Sequence, residues 1–91
     1  MDMKISDSAR DAILNVMKSQ QLDPHVWYFE LLLSKGAIGI GFTKQLANAE
    51  VHQFGELRLA IDQNLDTTGI LLDFAEVDGK KGLIFGADNN H

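Results

Sequence analysis

The side chains able to do acid–base or metal chemistry in this 91-residue chain are few and scattered: three histidines (His25, His52 and His91), thirteen carboxylates and no cysteine. Without a thiol the chain has no disulfide framework, no thiolate metal site and no cysteine nucleophile. No two histidines stand at a helical i, i+4 spacing or in another metal-ligand pattern. Folding could bring His25 and His52 together with Glu30 or Glu50, so His25, His52 and Glu30 are the metal candidates, but spacing alone predicts no metal and no cofactor. Glu30 lies in the most apolar stretch, where burial would favour the neutral carboxyl; its even-numbered neighbours Tyr28 and Leu32 fit a partly solvated face. Asp62 and Asp73 each follow a strand-like run and read as turn or outward-facing residues rather than a catalytic pair. No serine stands in a nucleophile-elbow motif, and the expectation is that the chain is not an enzyme.

The other conspicuous spacing is that of Gly36, Gly39 and Gly41 in Gly36-Ala37-Ile38-Gly39-Ile40-Gly41-Phe42. The order G-x-x-G-x-G is the reverse of the dinucleotide fingerprint, which must also lead from a strand into a helix. Ile38, Ile40 and Phe42 alternate with glycine, so the segment reads as a glycine-bent strand or hairpin, glycine in a strand often marking a bulge or a close backbone approach. Such a strand leaves backbone groups unshielded and can pair with another chain if it lies at a sheet edge. Gly36, Ile38, Gly39, Ile40, Gly41 and Phe42 are therefore the candidate interface, for a protein partner or for self-association. By alternation Ile38, Ile40 and Phe42 serve equally well as core residues.

Composition bounds the partners. The formal charge is −5, with eight Lys and Arg scattered along the chain and Lys80-Lys81 their only adjacent pair, so no nucleic acid and no membrane surface is expected as a partner. Hydrophobic residues make up 45% and charged residues 23%, the balance of an ordered globule. The N-terminus carries no apolar signal core and the longest run of hydrophobic residues is four, Val26 to Phe29, from which a cytoplasmic location is expected.

The elements that must position these residues follow from periodicity. From Ser6 to Gln20 the apolar positions Ala9, Ala12, Ile13, Val16 and Met17 mark one face of a helix, with Ser6 or Asp7 as its cap and Asp23-Pro24 as its stop. Val26 to Leu33 alternates with Trp27, Phe29, Leu31 and Leu33 on one face, a strand pattern. Lys44 to Glu50 reads as a loop, Val51 to Phe54 and Leu57 to Ile61 as strands about a turn at Gly55-Glu56, and Gln63 to Gly69 as a turn. Ile70 to Val77 and Gly82 to Gly86 form a hairpin through Asp78-Gly79-Lys80-Lys81. The fold class is α+β, mainly β: one N-terminal helix with antiparallel or mixed sheets packed as a compact sandwich or barrel. The expected core comprises Ile13, Val16, Trp27, Phe29, Leu31, Leu59, Ile61, Leu72, Phe74 and Phe85.

Ile5-Ser6-Asp7-Ser8-Ala9 resembles the opening of the HesB/IscA-like (A-type iron–sulphur carrier) family. Gly36-Ala37-Ile38-Gly39 with Phe42 stands where that family has G-C-S-G and an aromatic. Ile61-Asp62 resembles its hydrophobic-Asp step, Leu72-Asp73-Phe74 its I-D-Y, and Gly82 to Phe85 with Asp88-Asn89 its final G-x-x-F before N-P-N-A. The resemblance implies one HesB-like domain over residues 1–91. In the family one cysteine of G-C-S-G and two of a C-terminal C-G-C-G hold iron or a cluster; here Ala37 takes the first position, Ile38 replaces the serine, and the chain ends at His91. It implies a protein related to iron–sulphur cluster assembly that binds no cluster itself and acts as an interaction or accessory protein. The alternative is a metal or cluster role using His and carboxylate ligands or a partner's cysteines.

Overall fold

The computed structural model describes residues 3–87; the comparison at Asp88-Asn89 and the histidine His91 lie outside them. The elements run β1 (Lys4–Ile5), α1 (Asp7–Ser19), β2 (Tyr28–Ser34), β3 (Ala37–Thr43), β4 (Ala49–Phe54), β5 (Leu57–Asp62), β6 (Ile70–Val77) and β7 (Lys80–Ala87). Strand far exceeds helix, as the period-2 patterning predicts. Two mixed sheets form, one of three strands in the order β1-β6-β7 and one of four in the order β3-β2-β5-β4. Each contains a parallel pair, β1 with β6 and β2 with β5, beside antiparallel hairpins. No helix among the described residues is long and apolar enough to cross a membrane.

The chain divides into two compact units, with the boundary inside α1. One unit comprises the chain up to Ala12 and from Thr67 onward, and holds the three-stranded sheet and the start of α1. Its beginning is fixed by Ser6, which as N-cap accepts the Ala9 N–H on Oγ (3.1 Å), while its own N–H donates to Leu72 O (2.9 Å), continuing the β1–β6 ladder. The Ser6 hydroxyl in turn donates to Asp73 Oδ1, which also accepts the Phe74 N–H at 2.8 Å. These two bonds, Ser6 first, hold the Asp73 carboxyl below the usual carboxylate value. Met3, Ala9 and Leu72 are buried in this unit. Asp78-Gly79 makes the β6–β7 turn with φ of 53° and 78°, the type I′ pattern that Asp-Gly favours.

The other unit, Ile13–Asp66, holds the remainder of α1 and the four-stranded sheet. The helix is ended by Gln21 in the left-handed region (φ 59°), not by Pro24: Gln21 N–H bonds Lys18 O and Leu22 N–H bonds Met17 O, a Schellman closure. Two register rows cross the sheet on one face, Phe42-Phe29-Leu59-His52 and Ile40-Leu31-Ile61-Glu50. Phe29, Leu31, Leu57, Leu59, Ala60 and Ile61 are buried, with Ile13 and Met17 of α1. Phe42 packs edge-on against Phe29 with ring centroids 5.5 Å apart.

Several expectations need correction. Val16, placed in the core, is 43% exposed, because the buried helical stripe is the narrow i, i+4, i+8 series Ala9, Ile13, Met17. Phe85 is 39% exposed, and Trp27 and Phe74 are only half-buried. Ala49 and Glu50, read as loop, open β4, where they pair with Asp62 and Ile61. Val26 and Trp27 precede β2, and Lys80 and Lys81 belong to β7 rather than to the turn. Of the two readings of the glycine-rich segment, bent strand or hairpin, the structure shows the hairpin: β3 pairs with β2 over seven uninterrupted positions, without a bulge.

Candidate functional site

The β2–β3 hairpin is built by Lys35-Gly36, both with positive φ (52° and 77°), a two-residue type I′ turn that sets Ser34 opposite Ala37. Gly36 is thus a turn glycine. Gly39 and Gly41 are different: they lie in regular strand opposite Leu32 and Glu30, and a Cβ at either would meet nothing within 4 Å. They are not required by close approach of the chain's own backbone; they leave one face of β3 bare.

The structure splits the candidate residues. Phe42 turns to the core beside Phe29 and Ile38 is half-buried, whereas Ile40 is 54% exposed. Leu33 (43%) and Leu32 (39%), which face Ile38 and Gly39 across the hairpin, add exposed apolar area that the strand alternation alone did not reveal. Sequence register about the Lys35-Gly36 turn carries that signal.

β3 is an edge strand, and among the described residues no strand pairs with its outer side. Because Ser34 and Ala37 flank a two-residue turn they form a hydrogen-bonded pair, so Ala37, Gly39, Gly41 and Thr43 direct their N–H and C=O groups to β2. Ile38, Ile40 and Phe42 then direct theirs outward. Every other edge strand among the described residues carries a charge, Lys4 on β1, Glu50 on β4, and Lys80 and Lys81 on β7; β3 carries none. Charged edge residues are the usual device against strand addition, and this edge lacks it.

The titratable candidates fall apart from it. His52 sits at the end of one inner row and holds Glu50 at 2.9 Å, His25 lies 3.9 Å from Asp23 on an exposed turn, and Glu30 is half-buried on the opposite face from Phe29 and Leu31. Among the described residues no group of three or more His, Cys, Asp or Glu side chains is gathered as a metal would need. Asp62 accepts the Asn64 N–H (3.0 Å) and the Leu33 N–H (3.4 Å), fixing the turn after β5 and the end of β2. Arg58 lies over the Tyr28 ring at 4.2 Å and donates to Pro24 O, and Lys44 lies 5.1 Å from the Trp27 ring centre.

No family model matches the chain, and no curated protein matches it in sequence. Among solved structures the fold is similar to a crystal structure of IscA with the [2Fe-2S] cluster, with a TM-score of 0.63 and 12% identity over 96% of this chain and 86% of that one. The likeness is one of fold, a distant structural relationship. Iron–sulphur clusters are held chiefly by thiolates; this chain has none, and its exposed Ala37 at the hairpin tip offers no donor, so its residues do not fit such a group.

Proposed function

We propose that this chain is a HesB-like-fold protein that acts through protein association rather than by holding a cluster on its own residues, and that the edge of β3 is the associating surface. The observation that carries the reading is the charge-free edge strand with Ile40 exposed at its centre and the backbone groups of Ile38, Ile40 and Phe42 turned outward. An added strand would complete those backbone hydrogen bonds, and Ile40 would lose apolar surface to water. The reading assigns the chain no catalytic role. Its relation to iron–sulphur cluster assembly rests on the fold alone.

The test is Ile40→Lys. An exposed site changes stability by no more than about 0.5 kcal/mol, so the melting temperature should hold while association, read by sedimentation or by capture of a partner, is lost. A core site would lose several kcal/mol by burying an unpaired charge, and a destabilised monomer with unchanged association would defeat the reading.

A further inference from the structure

We propose, resting on that reading of the β3 edge, that its occupant is a second copy of this chain, paired antiparallel about Ile40. The strand Ala37-Ile38-Gly39-Ile40-Gly41-Phe42-Thr43 is close to a palindrome. Turned end for end on Ile40 it sets Ile40 against Ile40, Ile38 against Phe42, Gly39 against Gly41 and Ala37 against Thr43. Ile38, Ile40 and Phe42 then each meet a large apolar residue, and every glycine meets a glycine. Shifting the centre to Gly41 sets Ile38 against Lys44, and shifting it to Gly39 sets Gly36, held at φ 77°, against Phe42. An odd shift puts the isoleucines of one copy on the bare glycine face of the other.

The outward backbone groups agree with this centre. Ile38, Ile40 and Phe42 carry them, and the register places these three opposite Phe42, Ile40 and Ile38 of the second copy, so each outward N–H finds an outward C=O. No side chain at Gly39 or Gly41 interrupts the bare face, where a second copy's glycines would continue the same flat strip. A two-fold axis through Ile40 closes the assembly at two chains and joins two four-stranded sheets into one.

The pairing is weak by construction. One strand edge buries less than the roughly 1,600 Å² of a standard interface. Each copy carries −5, and Lys44 of one copy falls opposite Gly36 and beside Lys35 of the other at both ends of the ladder. Added salt should therefore tighten the dimer. A dimer loosened by salt would be held by ion pairs instead, and would overturn this register.

Because the chain has no cysteine, introduced thiols report the register directly. Gly39→Cys and Gly41→Cys place a Cβ in open space at ordinary backbone angles. In the proposed dimer Gly39 faces Gly41 of the second copy as a non-hydrogen-bonded pair, about 4.5 Å between Cα atoms, within disulfide range. Two copies of residue 39 stand about 8 Å apart across the diagonal, beyond it. Mild oxidation of an equimolar mixture should give a disulfide dimer between the two variants, and either variant alone should give none. Cross-linking within each single variant and not between them indicates parallel pairing and overturns the proposal. So does a dimer that survives Ile40→Lys but is lost in Ile84→Lys on the β7 edge. A wild-type chain that stays monomeric at millimolar concentration and forms no mixed disulfide overturns the second-copy assignment alone; the β3 edge as an associating surface fails separately, if Ile40→Lys melts like a core substitution.

Discussion

Ser6 ties β1 and the start of α1 to β6, and Ser6→Ala should separate two contributions that depend differently on pH. The substitution removes the hydroxyl that accepts the Ala9 N–H and donates to Asp73. Loss of the cap costs about 1 kcal/mol, or roughly 4–8 °C in melting temperature for a domain of this size. The Asp73 contribution adds to it only while that carboxylate is ionised. Its folded pKa lies below the unfolded value because the Ser6 hydroxyl and then the Phe74 N–H favour the charged form. The stability it supplies is therefore full above the unfolded value near 3.9 and is lost as pH falls through the lower folded value. Scanning calorimetry of wild type and Ser6→Ala should show the larger deficit near neutral pH and a smaller one, the cap alone, in strong acid. In a double-mutant cycle with Asp73→Asn at neutral pH, the second substitution should cost less in the Ser6→Ala background than in wild type. A deficit independent of pH together with strict additivity would refute the coupling of Ser6 to Asp73.

Two further outcomes follow from local geometry and composition. Gln21→Gly should raise stability by about 0.5–1 kcal/mol in urea titration, since Gln21 occupies the left-handed position that glycine adopts without strain; a loss of stability would mean that the Gln21 side chain holds the helix end. Treating the protein with iron and sulphide under exclusion of oxygen should leave its visible spectrum flat, because it has no thiolate. A stoichiometric cluster retained through gel filtration would contradict this and direct attention to His25 and His52.

Elements with strong local signals were legible in the sequence. The helix from Asp7 to Ser19 and the Asp78-Gly79 hairpin follow from period and turn chemistry, as do the alternating runs that became β2, β3, β5 and β6. The parallel pairings were not, because they join residues far apart in the chain and β1 is only two residues long. The motif comparison gains physical content from these pairings: Ile5-Ser6 and Leu72-Asp73, matched separately to the HesB-like pattern, are hydrogen-bonded neighbours. Such residues maintain a fold and say nothing of a cluster. Burial of Met3, which stands outside any element, carried no periodic signal, whereas Leu57 shares the alternation of Leu59 and Ile61. At the candidate site the alternation of glycine with isoleucine was visible, but the exposure of Ile40, which shares a sheet face with Leu31 and Ile61, depends on whether a strand lies beyond β3. Only the strand order decides it.

The associating role of β3 is tested most directly by amide hydrogen exchange read residue by residue along Ala37–Thr43 as protein concentration rises from micromolar to millimolar. Gly39 and Gly41, bonded to β2, should be protected throughout. Ile38, Ile40 and Phe42 should exchange freely in dilute solution and become protected as the concentration increases, an alternation that no general stabilisation would produce. Free exchange at all three positions at every concentration would contradict a second copy as the occupant of this edge, and protection already complete in the most dilute sample would contradict the open edge itself.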